Sequence, residues 1–248
     1  MKQRPSASNT SSVFRTARAV VATAALAYAG YAAPALALTP AGRWVFRPRV
    51  RVRPGGRIVL TFDDGPAPDS TPRVLDALDA LGVHATFFLV GEQVRRSPDV
   101  ARDVVARGHD IGCHGYHHRN HLSRGVVETR HDLARAGATI EDACGVAIRF
   151  FRPPYGVFNA ASWSACAGLG WQRVLWSRWA RDWEERATAD SIARGSTNGL
   201  VDGEILLLHD ADTYSARGCY QDLLGALPRI VGYARRHDLE PVRLSDAL

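Results

Sequence analysis

From Arg57 onward two patterns of apolar residues alternate along the chain. Short, nearly continuous apolar runs occur at "RIVLTF" (57–62), "HATFFLVG" (84–91), "HDIGCHG" (109–115), "IRFFRPPYG" (148–156), "WQRVLW" (171–176) and "GEILLLHD" (203–210). They are too short for helices and are bounded by turn residues, so they predict buried strands. Between them, residues 70–82, 97–108, 126–145, 159–170, 188–200 and 218–238 carry the three-to-four-residue apolar spacing of helices. Local punctuation agrees. Thr71 suits a cap, Pro72 a first turn and Gly82 a stop, and Ser97, Pro98 and Gly108 repeat that grammar. Strand–helix units with short links predict a mostly parallel sheet covered by helices, of about seven strands once "EPVRLSDAL" closes the chain. No internal repeat and no second domain is visible.

The first 55 residues break this pattern. A basic, Ser-rich start leads into the run Ala19–Gly42, which has no charged residue, and "ALA" at 35–37 resembles a signal-peptidase site. Residues 1–37 are therefore expected to be a cleaved signal peptide or, since the run is long enough to span a bilayer, an uncleaved anchor. The stretch 38–55 reads as a basic linker, and six arginines fall between Arg43 and Arg57. These arginines sit awkwardly for export, because positive flanks favour the cytoplasmic side. The charge argues against a nucleic-acid protein. Lys2, Arg4, Arg15 and Arg18 supply four of the net +6 charges, and the second basic stretch lacks interleaved aromatics or a binding motif. A chain of 248 residues is long enough to bury a full core. Its four cysteines have no C-x-x-C spacing. An exported chain could pair them, although Cys144 and Cys166 fall on predicted helices and also suit core positions.

In a barrel of parallel strands, chemistry gathers at the strand C-termini. Polar residues of chemical type stand there. Asp63 and Asp64 follow the first strand, His114 the third, Arg152 the "IRFF" run and His209 the "EILLL" run, and Asp182 comes soon after "RVLW". Two adjacent carboxylates repel each other, more so if buried, so either water solvates both or something positive holds them. "HGYHHRNH" (114–121) supplies a candidate. His114 and His118 are one helical turn apart, and two neutral imidazoles with one carboxylate make a three-ligand site with open positions, as catalytic zinc uses. His117 and His121 compete on the same spacing.

"TFDDGP", "HGYHH", "RPPYG", "ARDW" and "LLLH" occur in the order and rough spacing of the polysaccharide deacetylase family, the NodB-homology domain of carbohydrate esterase family 4. The chain resembles that family over residues 56–248. The resemblance implies an α/β fold, a distorted (β/α) barrel of about seven parallel strands forming a single catalytic domain. It implies a general base at Asp63 and a divalent metal, zinc by default with cobalt or nickel compatible, on Asp64, His114 and His118. The Tyr155 backbone N–H would face the developing oxyanion, and His209 would be the general acid. Arg152 would pair with Asp63, and Asp182 with His209. Three positions depart from the family pattern. Gly115 stands where Ser or Thr is usual, Arg119 where Pro is usual, and Trp179 where Asp is usual.

The expected activity is removal of acetyl groups from an N- or O-acetylated polysaccharide, such as chitin oligomers or peptidoglycan, outside the membrane. The expected partner is that glycan, with no nucleic acid and with a membrane reached only through an N-terminal anchor. Trp163, Trp171, Trp176 and Trp179 are candidates for stacking on sugars, although Trp on strands usually packs in cores. Two other classes compete: a non-catalytic glycan-binding protein on the same barrel, and a small cyclic-amide hydrolase. Loss of Asp63 or His209 would mark the first, and a mature N-terminus starting after Ala37 would favour the deacetylase over the second.

Overall fold

The apolar runs become strands of one curled sheet, and the periodic segments pack around it. The structure is a computed structural model and describes residues 7–248, with side chains from Arg18 onward. In chain order the elements are α1 (Ala7–Ala32), α2 (Pro40–Phe46), β1 (Arg57–Asp63), α3 (Thr71–Leu81), β2 (Thr86–Leu89), α4 (Gly91–Arg96), α5 (Pro98–Ala106), β3 (Asp110–Cys113), α6 (Val126–Cys144), β4 (Phe150–Phe151), α7 (Ala160–Gly168), β5 (Gln172–Arg173), β6 (Arg178–Trp179), α8 (Ala189–Thr197), β7 (Ile205–His209), α9 (Cys219–Arg236) and β8 (Glu240–Val242). Seven strands run in the order β5-β4-β3-β2-β1-β7-β6, and β8 pairs with the first half of β1. Every pairing is parallel. The ends of this path, β5 and β6, do not pair with each other, so the sheet is a half-barrel with a seam.

Residues 49–52 bridge that seam. Arg49 forms a bridge to Val174 and Arg51 to Glu204. The Val52 N–H donates to the Gly203 carbonyl at 2.9 Å, and Val52 is buried. The stretch expected as a linker over 38–55 is thus partly built into the barrel. The expected strands at 148–156 and 171–176 shrink to two residues each. In the first, Pro153 and Pro154 have no N–H to extend a ladder. Periodicity missed α2, α4 and β6, which are too short to show it. Thr71 is the first residue of α3 rather than its cap. Its hydroxyl accepts from the Ala67 N–H and donates to Asp210, and the N-cap position falls to Ser70. All four cysteines are free, so no disulfide forms. Burial pushes the Cys144 thiol up to about 11 and the Cys166 and Cys219 thiols up to about 12.

Strand alternation decides what the barrel holds. On β1, Ile58, Leu60 and Phe62 belong to the main core between sheet and helices, whereas Val59 joins a smaller cluster with Val52, Phe88, Phe150, Val174 and Ile205. That smaller cluster is the barrel interior. Continuing its two-residue period along β1 gives Thr61 and Asp63, and along β7 Leu207 and His209. The same inward face is therefore apolar at one end and chemically active at the other.

Candidate active site

The strand ends surround a cavity of about 250 Å³ lined by Asp63, Asp64, His114, His118, Tyr155, Trp176, Trp183, His209 and Tyr214, among others. Asp63 and His209 are register partners on adjacent strands. An extended strand would send Asp63 and Asp64 to opposite faces. Asp64 instead adopts a left-handed φ of 81°, and both carboxylates line the cavity. Strain of this kind costs on the order of 1–3 kcal/mol and must be held by its surroundings. Here Asp210 Oδ1 accepts from the Gly65 N–H at 3.2 Å, and a Cβ on Gly65 would collide with Asp210 at 2.1 Å.

Arg152 is fully buried and donates to Asp63 Oδ1 at 2.7 Å, to Thr61 Oγ1 at 2.8 Å and to the Leu175 carbonyl at 3.1 Å. Its guanidinium lies 4.2 Å from the Phe88 ring. Burial pushes the Asp63 carboxyl above the usual range, and Arg152 pulls against that rise. On the other side of the cavity, Asp182 Oδ2 accepts from the His209 N–H at 2.7 Å, and its Oδ1 lies 3.1 Å from His209 Nδ1. Burial opposes charge on His209, but the Asp182 carboxylate outweighs it, and the pKa is pushed up to about 9. Tyr155 is exposed, has a left-handed φ of 60° and places its ring 4.7 Å from His118.

Asp64, His114 and His118 converge. Asp64 Oδ1 lies 3.7 Å from His114 Nε2 and 3.3 Å from His118 Nε2. The convergence does not come from a helical turn, as the spacing suggested. Residues 114–120 form a loop, opened by Gly115 at φ 87°. His114 Nδ1 is tied to the Arg152 carbonyl at 2.7 Å, which aims Nε2 into the cavity. The competitors turn elsewhere: His117 bonds Asp132 at 3.0 Å, and His121 stacks on Phe151 in the interior. Burial lowers both the His114 and the His118 pKa to about 3, so both imidazoles are neutral. Among the described residues, the buried Asp64 Oδ1 has no hydrogen-bond donor. A carboxylate oxygen without a donor, facing two neutral imidazoles at tetrahedral-edge separations, fits a divalent cation.

Three supporting residues escaped the sequence reading. Asp132 accepts from the Tyr116 and His117 N–H groups at 2.9 and 3.2 Å and pairs with Arg124 at 2.7 Å, so it pins the histidine loop. Gly115 suits this arrangement: it takes the positive φ, and a Cβ there would press on Asp132 at 3.3 Å. Tyr214 stacks on His118 at 4.3 Å; its hydroxyl donates to Glu92 at 2.8 Å and accepts from Gln93 at 2.9 Å. The third is Asp210. It sits beside His209 in "LLLHD", so its neighbour was the only signal for it, and nothing local marks Asp132 or Tyr214. Of the four tryptophans proposed for sugar stacking, Trp176 lines the cavity and Trp179 is exposed next to it, whereas Trp171 is core and Trp163 packs on Phe158.

A parallel half-barrel with an Asp/His/His cation site, a buried Asp–Arg pair and an Asp-held histidine defines a metal-dependent hydrolase. The model of the polysaccharide deacetylase family matches residues 51–174. The chain is 34% identical over 194 residues to the chitooligosaccharide deacetylase of Azorhizobium caulinodans, covering 75% of this chain and 92% of that one. It is 32% identical over 194 residues to a peptidoglycan-N-acetylglucosamine deacetylase of Bacillus cereus, covering 77% and 87%. The crystal structure of the peptidoglycan N-acetylglucosamine deacetylase Bc1960 superposes with a TM-score of 0.77 at 28% identity, covering 83% of this chain and 95% of that one. The chain belongs to the polysaccharide deacetylase family, and its chemistry is hydrolytic removal of acetyl groups from polysaccharide.

Proposed function

We propose that the protein hydrolyses the N-acetyl groups of N-acetylglucosamine-containing glycans, chitin oligomers or peptidoglycan, outside the cytoplasmic membrane. The substrate class follows from the relatives, which are chitooligosaccharide and peptidoglycan-N-acetylglucosamine deacetylases. The observation that carries the chemistry is one cavity lined by a base candidate, a cation site and a protonated histidine. Asp64, His114 and His118 would hold the cation, and zinc suits two imidazoles with one carboxylate, with cobalt and nickel acceptable to the same donors. When bound, the cation supplies Lewis acidity, acidifying water and polarising the acetyl carbonyl.

The chain's own residues do the rest. Asp63 takes the proton of the attacking water, with Arg152 fixing the carboxylate and favouring its ionised form. The backbone N–H of Tyr155, which borders the cavity, would donate to the carbonyl oxygen as it gains charge. His209, kept protonated by Asp182, gives its proton to the departing amine, so one water and one acetamide become acetate and a free amine. Trp176 and Trp183 line the cavity and offer indole faces to the sugar. Acetate release from N-acetylglucosamine oligomers and from peptidoglycan tests this reading, with the detergent-solubilised full chain metal-stripped, zinc-loaded, and zinc-loaded as Asp63→Asn. Zinc-restored release that disappears in Asp63→Asn is expected. Release that is equal with and without zinc would overturn the mechanism, and silence on both glycans would overturn the substrate class.

A further inference from the structure

We propose that a second cavity, on the other side of the histidine loop, binds a carboxylate of the glycan, and that it narrows the substrate to an acidic glycan such as peptidoglycan rather than uncharged chitin oligomers. The proposal rests on the deacetylase reading above and adds a second point of recognition to it.

The cavity is a trough of about 500 Å³ between the histidine loop, which supplies His117 and Arg119, and α6 with its entry, which supply Arg124, Glu128, His131 and Arg135. Glu128, His131 and Arg135 are three and four residues apart, so one face of α6 presents them together.

The charges around this trough do not cancel. Arg124 is buried and takes both carboxylates: its Nε donates to Glu128 at 3.0 Å, and its Nη1 lies 2.7 Å from Asp132. Asp132 is further occupied by the Tyr116 and His117 N–H groups. The two acids are thus committed to Arg124 and the loop, and Arg119 and Arg135 form no ion pair among the described residues. Arg135 is nonetheless held in place. Its guanidinium lies 3.8 Å from the centre of the Tyr116 ring, and Tyr116 is buried. A cation stacked on an aromatic face is already oriented, so less freedom is lost when it binds. Two guanidiniums without a carboxylate, lining one cavity, suit an anion, and their flat forks suit a carboxylate in particular. Arg119 stands where Pro is usual in the family, and a proline there would supply neither charge nor donor.

The two cavities share the histidine loop as a wall. His118 lines the catalytic cavity, and its chain neighbours His117 and Arg119 line the second. A glycan strand with one acetyl group at the cation site therefore brings a neighbouring sugar's substituents to the second cavity across the width of one loop. Chitin oligomers have no charge to place there. Peptidoglycan carries a lactyl ether on alternate sugars, which ends in a carboxylate where it is free and in a carboxylate-bearing peptide where it is substituted. Val127, 82% exposed at the edge of the trough, offers an apolar contact to the methyl groups of such a substituent.

The test is equilibrium binding to the detergent-solubilised full chain, carrying Asp63→Asn so that the acetyl groups stay in place. The probes are soluble disaccharide-peptide fragments of peptidoglycan, with their carboxylates either free or converted to amides. Amidation should weaken binding at least about 10-fold. Arg119→Gln with Arg135→Gln, both at exposed positions, should bind the free acids about as weakly and no longer distinguish acid from amide, because the two changes remove the same interaction. A loss on amidation that persists undiminished in the variant, or no loss on amidation in the protein with both arginines, would overturn the proposal. Fragments freed of peptide separate the two sources of charge: sensitivity to amidation that remains there assigns the lactyl carboxylate, and sensitivity found only with peptide attached assigns the peptide. Binding needs no turnover. Acetate release from uncharged chitin oligomers tests the deacetylase reading by itself, so either reading can fail while the other stands.

Discussion

Two buried Asp–His groupings stand on the rim of the same cavity and behave in opposite ways. His209 with Asp182 has its pKa pushed up to about 9, whereas His114 and His118 beside Asp64 fall to about 3. The residue types are the same and all are withdrawn from water. Contact geometry makes the difference. Asp182 accepts from both the backbone and the ring side of His209, so its charge is committed to one imidazole. Asp64 Oδ1 sits 3.3–3.7 Å from two imidazole nitrogens and has no hydrogen bond to either. The first geometry suits a held proton, and the second has the donor set of a cation site. The Asp64 carboxyl itself is raised to about 7, mainly by burial, with His209 opposing and the Asp63, Asp210 and Asp182 charges adding to the rise.

The comparison breaks most completely at the cation site. Asp64→Asn should abolish zinc retention after dialysis and reduce acetate release to background, and a chelator should do the same to the unaltered protein until zinc is returned. Next, Asp63→Asn should lower kcat by about 10²–10⁴-fold while zinc content stays at one per chain, because it removes a proton acceptor and no ligand. Retained activity would move the base elsewhere. Arg152→Met should cost about 3–5 kcal/mol in denaturant unfolding, since it leaves Asp63 buried without a partner.

The proton-holding grouping responds to pH. The histidine must be charged to act, so kcat should persist up to about pH 9 and fall above it. In Asp182→Asn the falling limb should move to about 6.5 or below, because burial alone opposes the charged ring. The same pair contributes to stability. A folded pKa above the ordinary value means that its stabilisation is complete below about pH 6.5 and is lost as pH rises through about 9. A melting midpoint that is flat across that window would contradict the assignment. The smallest effect on zinc is expected at Tyr214, which stacks on His118 and is not a ligand. Tyr214→Ala should weaken zinc about 10-fold in competition with a chromophoric chelator, and Tyr214→Phe should largely restore binding by keeping the stacked ring.

Much of the fold was legible because it repeats a local rule. Apolar runs of four to seven residues and periodic segments with caps gave most of the strands and all six long helices of the domain. What escaped was short or held by distant groups: β6, α4 and the cap of α3, where a hydroxyl suited to capping instead bonds Asp210 across the fold. The candidate site residues were legible as types after strand ends. The histidine pair was found for an incomplete reason, because helical spacing and this loop both bring positions four apart together.

The sequence by itself determined the inventory: a parallel α/β domain, two adjacent aspartates, a histidine-rich segment and a histidine after a buried strand. These depend on residue type and short-range periodicity, which the chain carries locally. The motifs' resemblance to the family named His114, His118 and Asp182, but only the tertiary structure supplied the reasons: the loop that turns His114 and His118 to Asp64, the contacts that take His117 and His121 elsewhere, and the Asp182 oxygens within reach of His209. It also decided that the end of the leader belongs to the domain. Each of these outcomes depends on distances between residues far apart in the chain, such as Asp132 to His117, Asp182 to His209 and Tyr31 to Asn159, and on the burial that gives those distances their energetic weight.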